Sequence, residues 1–326
     1  MTRFAVIGGG AWGTALAALY AKAGHEVTLY ARDTAMAAAI NQSRENARYL
    51  PGIPVPQGLT ATDDLAAATT GAEIVLAVVP TQSVRAVAAS LAPLLQDRTP
   101  VVLCAKGIEK ATGDFASDVL REEAPTARAA VLSGPSFAAD VASGLPTAVT
   151  VAAGEIALAD DLARALSTET LRCYASDDLA GVEAGGALKN ILAIAVGAVH
   201  GRRLGASAAA ALTARGFVEL RRLGEALGGR AETLMGLSGL GDLILTCSSA
   251  QSRNFTFGLA LGRGEDVSKL KLAEGVHSAE IAARIAAERG IEAPIIDVVA
   301  AVVAGRMTLE EAMKALLARP LKREWD

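Results

Sequence analysis

A chain of 326 residues is long enough to bury two cores, and 52% hydrophobic against 20% charged residues is a compact globular composition, which excludes a disordered chain. The formal net charge of -4 excludes a broad basic field for nucleic acid and leaves a local pocket for a small anion as the expected partner site. Cys104, Cys173 and Cys247 are odd in number and far apart, which excludes a disulfide framework or metal-ligand spacing and points to a reducing, cytoplasmic compartment.

The first strand signal, the apolar run 4–7, leads straight into Gly8-Gly9-Gly10-Ala11-Trp12-Gly13 and the helical pattern of residues 14–19. No charged leader and cleavage site precede that strand, so no export signal is expected. A G-x-G-x-x-G between strand and helix is a dinucleotide fingerprint. Gly8 permits the tight turn, Gly10 lets the backbone approach a pyrophosphate, and Gly13 lets helix and strand pack closely. A second strand, residues 27–30, is followed by Ala31, Arg32 and Asp33, where a carboxylate would accept from a ribose 2′-hydroxyl. Arg32 suits a 2′-phosphate instead, so NADPH is the expected preference. Asp33 keeps NADH open, and the alternative for Arg32 is a solvated loop charge.

Further strands are expected in residues 74–79, 101–104, 130–132 and 148–151, alternating with alanine-rich helices. Thr81 or Ser83 can cap the helix that carries Val84, Val87, Ala88, Leu91 and Leu94. This alternation predicts an α/β fold, a doubly wound Rossmann-type domain with a mainly parallel sheet. Lys106 and Ser133-Gly134-Pro135-Ser136 each follow a strand, which carries them to the edge where such sheets bind ligands. After residues 171–174 the strand signals fade, and Ser176-Asp177-Asp178 open a long helical run through Leu179, Val182, Ala187, Ile191 and Ala195. The expected domains are therefore 1–178, binding the dinucleotide, and 179–326, a mostly α-helical domain for substrate and catalysis. Gly205, Gly216, Gly228-Gly229, Gly236 and Gly262-Arg263-Gly264 read as breaks between its helices. The apolar stretches 191–199 and 293–304 fall short of the roughly 20 residues a bilayer requires and read as buried helices, so no integral membrane segment is expected.

Lys189 and Asn190 interrupt a helix otherwise built of small and apolar residues. Burial and nearby positive charge both lower a lysine's pKa toward the range useful for proton transfer, which makes Lys189 the general acid/base candidate. The alternative is a lysine that extends to solvent. Asp242, after Gly239-Leu240-Gly241, is placed to orient Lys189 or to cap a helix. Ser252-Arg253-Asn254 offers hydroxyl, guanidinium and amide to phosphate oxygens, or else forms an exposed turn. His25, His200 and His277 sit where structural or surface roles suffice, and no metal is expected.

These segments resemble the bacterial NAD(P)-dependent sn-glycerol-3-phosphate dehydrogenases along almost the whole chain. The resemblance rests on Gly8 to Gly13, Asn46-Ala47-Arg48-Tyr49-Leu50-Pro51-Gly52, Lys106-Gly107, Ser133-Gly134-Pro135-Ser136-Phe137-Ala138, Gly186-Ala187-Leu188-Lys189-Asn190, Gly239-Leu240-Gly241-Asp242-Leu243, Gln251-Ser252-Arg253-Asn254 and Glu274-Gly275. It implies interconversion of dihydroxyacetone phosphate and sn-glycerol 3-phosphate with NADPH or NADH, in the reductive direction that supplies phospholipid synthesis. By the same resemblance Lys189 is the catalytic lysine, and Lys106, Gly134, Ser136, Asp242, Ser252, Arg253 and Asn254 contact substrate. Trp12, Arg32, Tyr49, Lys106, Ala138, Arg253, Leu272 and Glu274 fall at cofactor positions beside Gly8, Gly10, Ala11 and Gly13. Ala11 replaces a hydroxyl residue common there, and Leu272-Ala273 departs from the family's valine-rich lead into Glu274-Gly275. A homodimer is the expected assembly. Two other readings stay open: a non-catalytic NADP(H) sensor, and a reductase of the same architecture acting on a keto acid.

Overall fold

The computed structural model describes residues 1–270, 273–320 and 323. Strands and helices alternate through the first half. They are β1 (Arg3–Ile7), α1 (Ala11–Lys22), β2 (Glu26–Tyr30), α2 (Thr34–Ser43), β3 (Leu59–Thr62), α3 (Leu65–Thr69), β4 (Ile74–Ala77), α4 (Val84–Leu91), β5 (Pro100–Leu103), α5 (Ala116–Glu123), β6 (Arg128–Ser133), α6 (Ala138–Ala142), β7 (Thr147–Ala153), α7 (Ile156–Leu166) and β8 (Leu171–Ser176). Neither Thr81 nor Ser83 caps α4 with its side chain; residues 81–83 form a 3-10 turn that leads into the helix.

The strands form one eight-stranded sheet in the order β3-β2-β1-β4-β5-β6-β7-β8. All pairs are parallel except β6 with β7, which run antiparallel. Both faces are covered, and alternate residues of β1 belong to different cores. Phe4 and Val6 pack with Leu16, Tyr20 and Leu29, while Ala5 and Ile7 pack with Val75, Leu91 and Leu103. The strand order reverses at the β1–β4 neighbour pair, so a crevice opens beyond their carboxyl ends.

The second half is helical: α8 (Leu179–Gly201), α9 (Ala206–Ala226), α10 (Ala231–Leu234), α11 (Asp242–Ser248), α12 (Arg253–Arg263), α13 (Glu274–Glu288), α14 (Pro294–Val303) and α15 (Leu309–Leu317). By length and composition α8 could cross a membrane, but 89% of its apolar window is buried inside the protein, where it is the central core helix. Its neighbour α12 lies almost in contact with its backbone. A Cβ at Gly258 would fall 2.0 Å from the Ile194 carbonyl oxygen, and one at Gly262 would fall 2.4 Å from that of Ala198. Gly216 is therefore an interior residue of α9 rather than a break, whereas Gly262-Arg263-Gly264 does end α12, with Gly264 as its left-handed C-cap. Gly216 makes room for the Leu192 side chain, which a Cβ would meet at 2.7 Å.

The two halves are tied by a carboxyl group. Glu183, on α8, accepts from the Ser117 amide at 3.0 Å and the Ser117 hydroxyl at 2.5 Å, so it caps the first turn of α5. Burial pushes its pKa up to about 7, against the bonds from Ser117 that favour the charged form. The folded chain holds this proton more tightly than the unfolded chain. The group's contribution to stability is thus fully present below pH 4.5 and is lost as pH rises through about 7. Glu183→Gln should remove that loss. Unfolding free energies from denaturant titrations are expected to favour the variant over the parent at pH 8 by up to about 3 kcal/mol more than at pH 5. A difference that does not change with pH would contradict this.

Candidate active site

At the end of β1 the chain turns sharply at Gly8, whose φ is +128° and whose amide donates to the Tyr30 carbonyl. A Cβ at Gly8 would lie 2.2 Å from the Val78 carbonyl oxygen, and one at Gly13 would lie 1.9 Å from that of Gly8, so packing demands both glycines. Gly10 differs, because a Cβ there would meet no described atom within 4 Å. The space over Gly10 lies at the N-terminus of α1. No described side chain caps that helix, and its first turn carries no acid. Amide dipoles facing an open, uncapped space fit a pyrophosphate.

The segment 46–49 is fastened onto this turn. Asn46, fully buried, donates from Nδ2 to the Gly9 carbonyl at 2.9 Å and to Thr14 Oγ1 at 2.8 Å. Its neighbours Arg48 and Tyr49 are exposed, with the Arg48 guanidinium 5.2 Å from the centre of the Tyr49 ring. Beyond β2, Arg32 is exposed. Asp33 accepts from the Met36 amide at 3.1 Å, capping α2, and from Arg48 Nη1 at 3.3 Å.

A cluster of charges lies where the two halves meet. The loop after β5 supplies Lys106, α8 supplies Lys189, and Asp242 begins α11 immediately after a π-helical turn, Leu237–Gly241. Lys189 Nζ lies 2.6 Å from Asp242 Oδ1, and Lys106 Nζ lies 2.7 Å from Oδ2. One carboxylate thus serves two ammonium groups. Lys189 also donates to Thr246 Oγ1 at 2.7 Å, and that hydroxyl donates to Asp242 Oδ1 at 3.2 Å. Burial lowers the Lys189 pKa to about 8; the charge of Lys106 helps, and the Asp242 carboxylate opposes. Burial raises the Asp242 pKa, but the two lysines together outweigh it and hold the group below the usual carboxylate range.

An amide relay surrounds the cluster. Asn190 donates to the Lys106 carbonyl at 2.9 Å and accepts from Asn254 Nδ2 at 2.8 Å, and Asn254 Oδ1 accepts from the Gly275 amide at 2.9 Å. The Gly134 carbonyl accepts from Lys106 Nζ at 2.9 Å and from the Ser136 hydroxyl at 3.1 Å. Ala138, half-buried, opens α6 just beyond. Ser252 caps α12 by accepting from the Phe255 amide, and Arg253 follows it exposed at the first turn. Glu274, at the start of α13, accepts from the Thr81 amide at 3.3 Å. Burial raises its pKa, and the positive charge of Arg253 acts in the opposite direction.

The structure therefore gathers Lys106, Gly134, Ser136, Lys189, Asp242 and Asn254 around one point. Arg253 and Glu274 stand beside it, and Arg32 and Tyr49 lie off the far side of the glycine turn. Leu272 lies outside the described residues. Sequence reasoning assigned nothing to Thr246 or Asn46. The available signal for Thr246 was its position four residues after Asp242, on the same face of α11. His25 accepts from the Thr2 amide and packs on Phe4, and His200 packs against Phe255. Among the described residues no group of three or more His, Cys, Asp or Glu could hold a metal ion.

A family model described as the N-terminus of NAD-dependent glycerol-3-phosphate dehydrogenase matches residues 3–159, and its C-terminal counterpart matches residues 178–314. A glycerol-3-phosphate dehydrogenase (NAD(P)+) of Chelativorans sp. (strain BNC1) is 62% identical, with 98% of each chain covered. The protein of that name from Mesorhizobium japonicum is 61% identical, over 99% of this chain and 94% of the relative. Among solved structures, a glycerol-3-phosphate dehydrogenase from Coxiella burnetii superposes with a TM-score of 0.92 at 38% identity, covering 98% of this chain and 99% of that one. A ketopantoate reductase of the PanE/ApbA family from Ralstonia eutropha shares the fold alone, with a TM-score of 0.61 at 20% identity over 96% of this chain and 99% of its own.

The contrast between the fingerprint glycines can be tested directly. Gly10→Ala should leave the melting temperature within about 2 °C of the parent while raising the dissociation constant for a nicotinamide dinucleotide at least about tenfold. Gly13→Ala should instead lower the melting temperature, because its Cβ collides with backbone. Unchanged dinucleotide titration in the Gly10 variant would contradict the assignment.

Proposed function

The chain belongs to the NAD-dependent glycerol-3-phosphate dehydrogenase family, and on that premise we propose that Lys189 is the general acid and base interconverting dihydroxyacetone phosphate and sn-glycerol 3-phosphate. The enzyme is an NAD(P)-dependent oxidoreductase. One observation carries the assignment of Lys189: it is only 5% exposed, and its ammonium is held by Asp242 and Thr246 beside a second lysine.

Reduction of the ketone places negative charge on its oxygen, and Lys189 delivers a proton from Nζ to that atom. In the reverse direction the neutral amine removes the alcohol proton. Asp242 keeps Nζ oriented through both steps, and Lys106 opposes a second positive charge in the site, which makes Lys189 a readier donor. Arg253 holds the substrate phosphate, with Ser252 and Asn254 fixing the first turn of α12 on which it stands. Gly134 and Ser136 line the same pocket. Residues 1–178 would hold the dinucleotide, with Gly8, Gly10, Ala11, Trp12 and Gly13 available to its pyrophosphate and Ala138 and Glu274 available to the rest of it. When bound there, reduced nicotinamide supplies the hydride. Residues 179–326 supply the proton donor. Three unpaired, buried cysteines fit a cytoplasmic enzyme. The reading extends to a homodimer working in the reductive direction, which supplies phospholipid backbone.

Lys189→Met should cut single-turnover reduction of dihydroxyacetone phosphate at least about a hundredfold with dinucleotide binding retained. In the parent, reduction needs the ammonium and oxidation the free amine. Reduction should therefore fall, and oxidation rise, as pH passes through about 8. Limbs that do not mirror each other, or near-normal reduction by the variant, would remove Lys189 from this role.

Cofactor preference follows from the far end of the cleft. The Asp33 carboxylate is taken up by the α2 cap and by Nη1 of Arg48, which leaves the Arg32 guanidinium and the remaining nitrogens of Arg48 to meet a 2′-phosphate. Arg32→Ala and Arg48→Ala should each lower kcat/KM for NADPH by about tenfold while changing NADH far less, measured side by side. Equal losses with both cofactors would count against this selection.

A further inference from the structure

Lys106 stands at the head of an irregular connection between β5 and α5, yet its ammonium is held 2.7 Å from Asp242 and 2.9 Å from the Gly134 carbonyl. What braces the connection comes from the turn after β4 and from α4. Gln82, in the turn Thr81–Ser83 after β4, grips the connection twice. Its Nε2 donates to the Ile108 carbonyl at 2.8 Å, and its Oε1 accepts from the Lys110 amide at 2.9 Å. Arg85, on α4, engages Glu109 as a fork, with Nε to Oε1 at 2.9 Å and Nη2 to Oε2 at 2.8 Å. The same guanidinium reaches Glu122 and Glu123 of α5, at 2.8 and 2.7 Å. Glu109 is buried and also accepts from the Thr112 hydroxyl at 2.7 Å. The turn presses so closely on the connection that a Cβ at Gly107 would lie 2.5 Å from Thr81 Oγ1.

We propose that Gln82 and the Arg85–Glu109 fork are positioning residues that hold the Lys106 ammonium against Asp242 and thereby adjust the proton affinity of Lys189. The inference rests on the reading of Lys189 as proton donor. Neither Gln82 nor Arg85 touches the cluster; both act through the backbone of residues 106–110, which Asn190 grips from the other side at the Lys106 carbonyl. The groups that bear on Lys189 are Asp242, Thr246 and Cys247 from α11, Lys106 from this connection and the buried carboxyl group of Glu274 from α13, which interacts with both lysines. If Lys106 withdraws, Lys189 loses a like charge and keeps the whole of Asp242, and both changes favour its protonated form. Reduction would then persist to higher pH, while the pocket would lose a cation for the substrate.

The test uses Gln82→Met, which keeps the shape of the side chain and removes both hydrogen bonds, with Lys106→Met as reference and Arg85→Lys as a milder variant. Gln82→Met should raise KM for dihydroxyacetone phosphate about fivefold or more and move the alkaline limb of reduction upward by about half a pH unit or more. Lys106→Met should move the limb in the same direction, and Arg85→Lys should give a smaller shift. A loss confined to kcat or melting temperature, with KM and the limb unmoved in Gln82→Met while Lys106→Met shifts it, overturns the positioning role. If Lys106→Met leaves the limb in place, the coupling between the lysines is itself absent. That failure strikes the reading of the site, and the positioning role with it.

Discussion

The arrangement depends on one buried carboxylate with a different ammonium group on each oxygen. Desolvating three charges costs several kcal/mol apiece, so they persist only because every oxygen of Asp242 is engaged and because Thr246 and the Gly134 carbonyl take further protons of the two lysines. Removing Asp242 would leave two ammonium groups uncompensated, at a cost of about 3–5 kcal/mol, whereas removing either lysine leaves a balanced ion pair. The set carries one net positive charge into a nonpolar interior. On the proposed assignment an anionic substrate would reduce that imbalance, so the cluster would favour binding of the molecule on which it acts.

The rest of the fold brings these charges together. Lys106 comes from the sheet edge, Lys189 from the middle of the buried α8, and Asp242 from a turn 136 residues after Lys106. A helix that delivers a lysine into a core must itself be held without freedom, and α8 achieves this through backbone contact with α12. The glycines on both helices replace side-chain packing with close approach, which fixes the register of α8 against α12. The relay from Lys106 through Asn190 and Asn254 to Gly275 then extends that register across three helices and the loop.

Much of this was legible in the sequence where the chemistry is local. The glycine fingerprint, the strand alternation, the lysine in an apolar helix and Asp242 after a glycine-rich turn each depend on residues close along the chain. What was illegible depends on residues far apart. Gly216 looks like a helix break because low helix propensity is a local property, while the Leu192 side chain that requires it lies on another helix. The capping of α5 by Glu183 and the pairing of Asp33 with Arg48 are hidden for the same reason. Asn254 reads as a phosphate ligand by its type, but its amide joins two helices, a use that depends on where α8 and α13 happen to pass.

Burial divides the labour among the positive groups. A proton donor must be taken from water for its pKa to approach neutrality, and Lys189 is enclosed on α8 by Asp242, Thr246 and Cys247. A cation that holds a phosphate has no such requirement, because the attraction to a dianion survives partial solvation while full burial would impose the desolvation cost before any substrate arrived. Arg253 is accordingly exposed and Lys106 lies between the two extremes. On the proposed assignment the gradient would orient the substrate, its phosphate met first by the hydrated guanidinium and its carbonyl left to enter the dry end. Reversing the two residues would fail on both counts, since an arginine cannot release its proton at neutral pH and an exposed lysine would keep a pKa too high to serve as a proton donor.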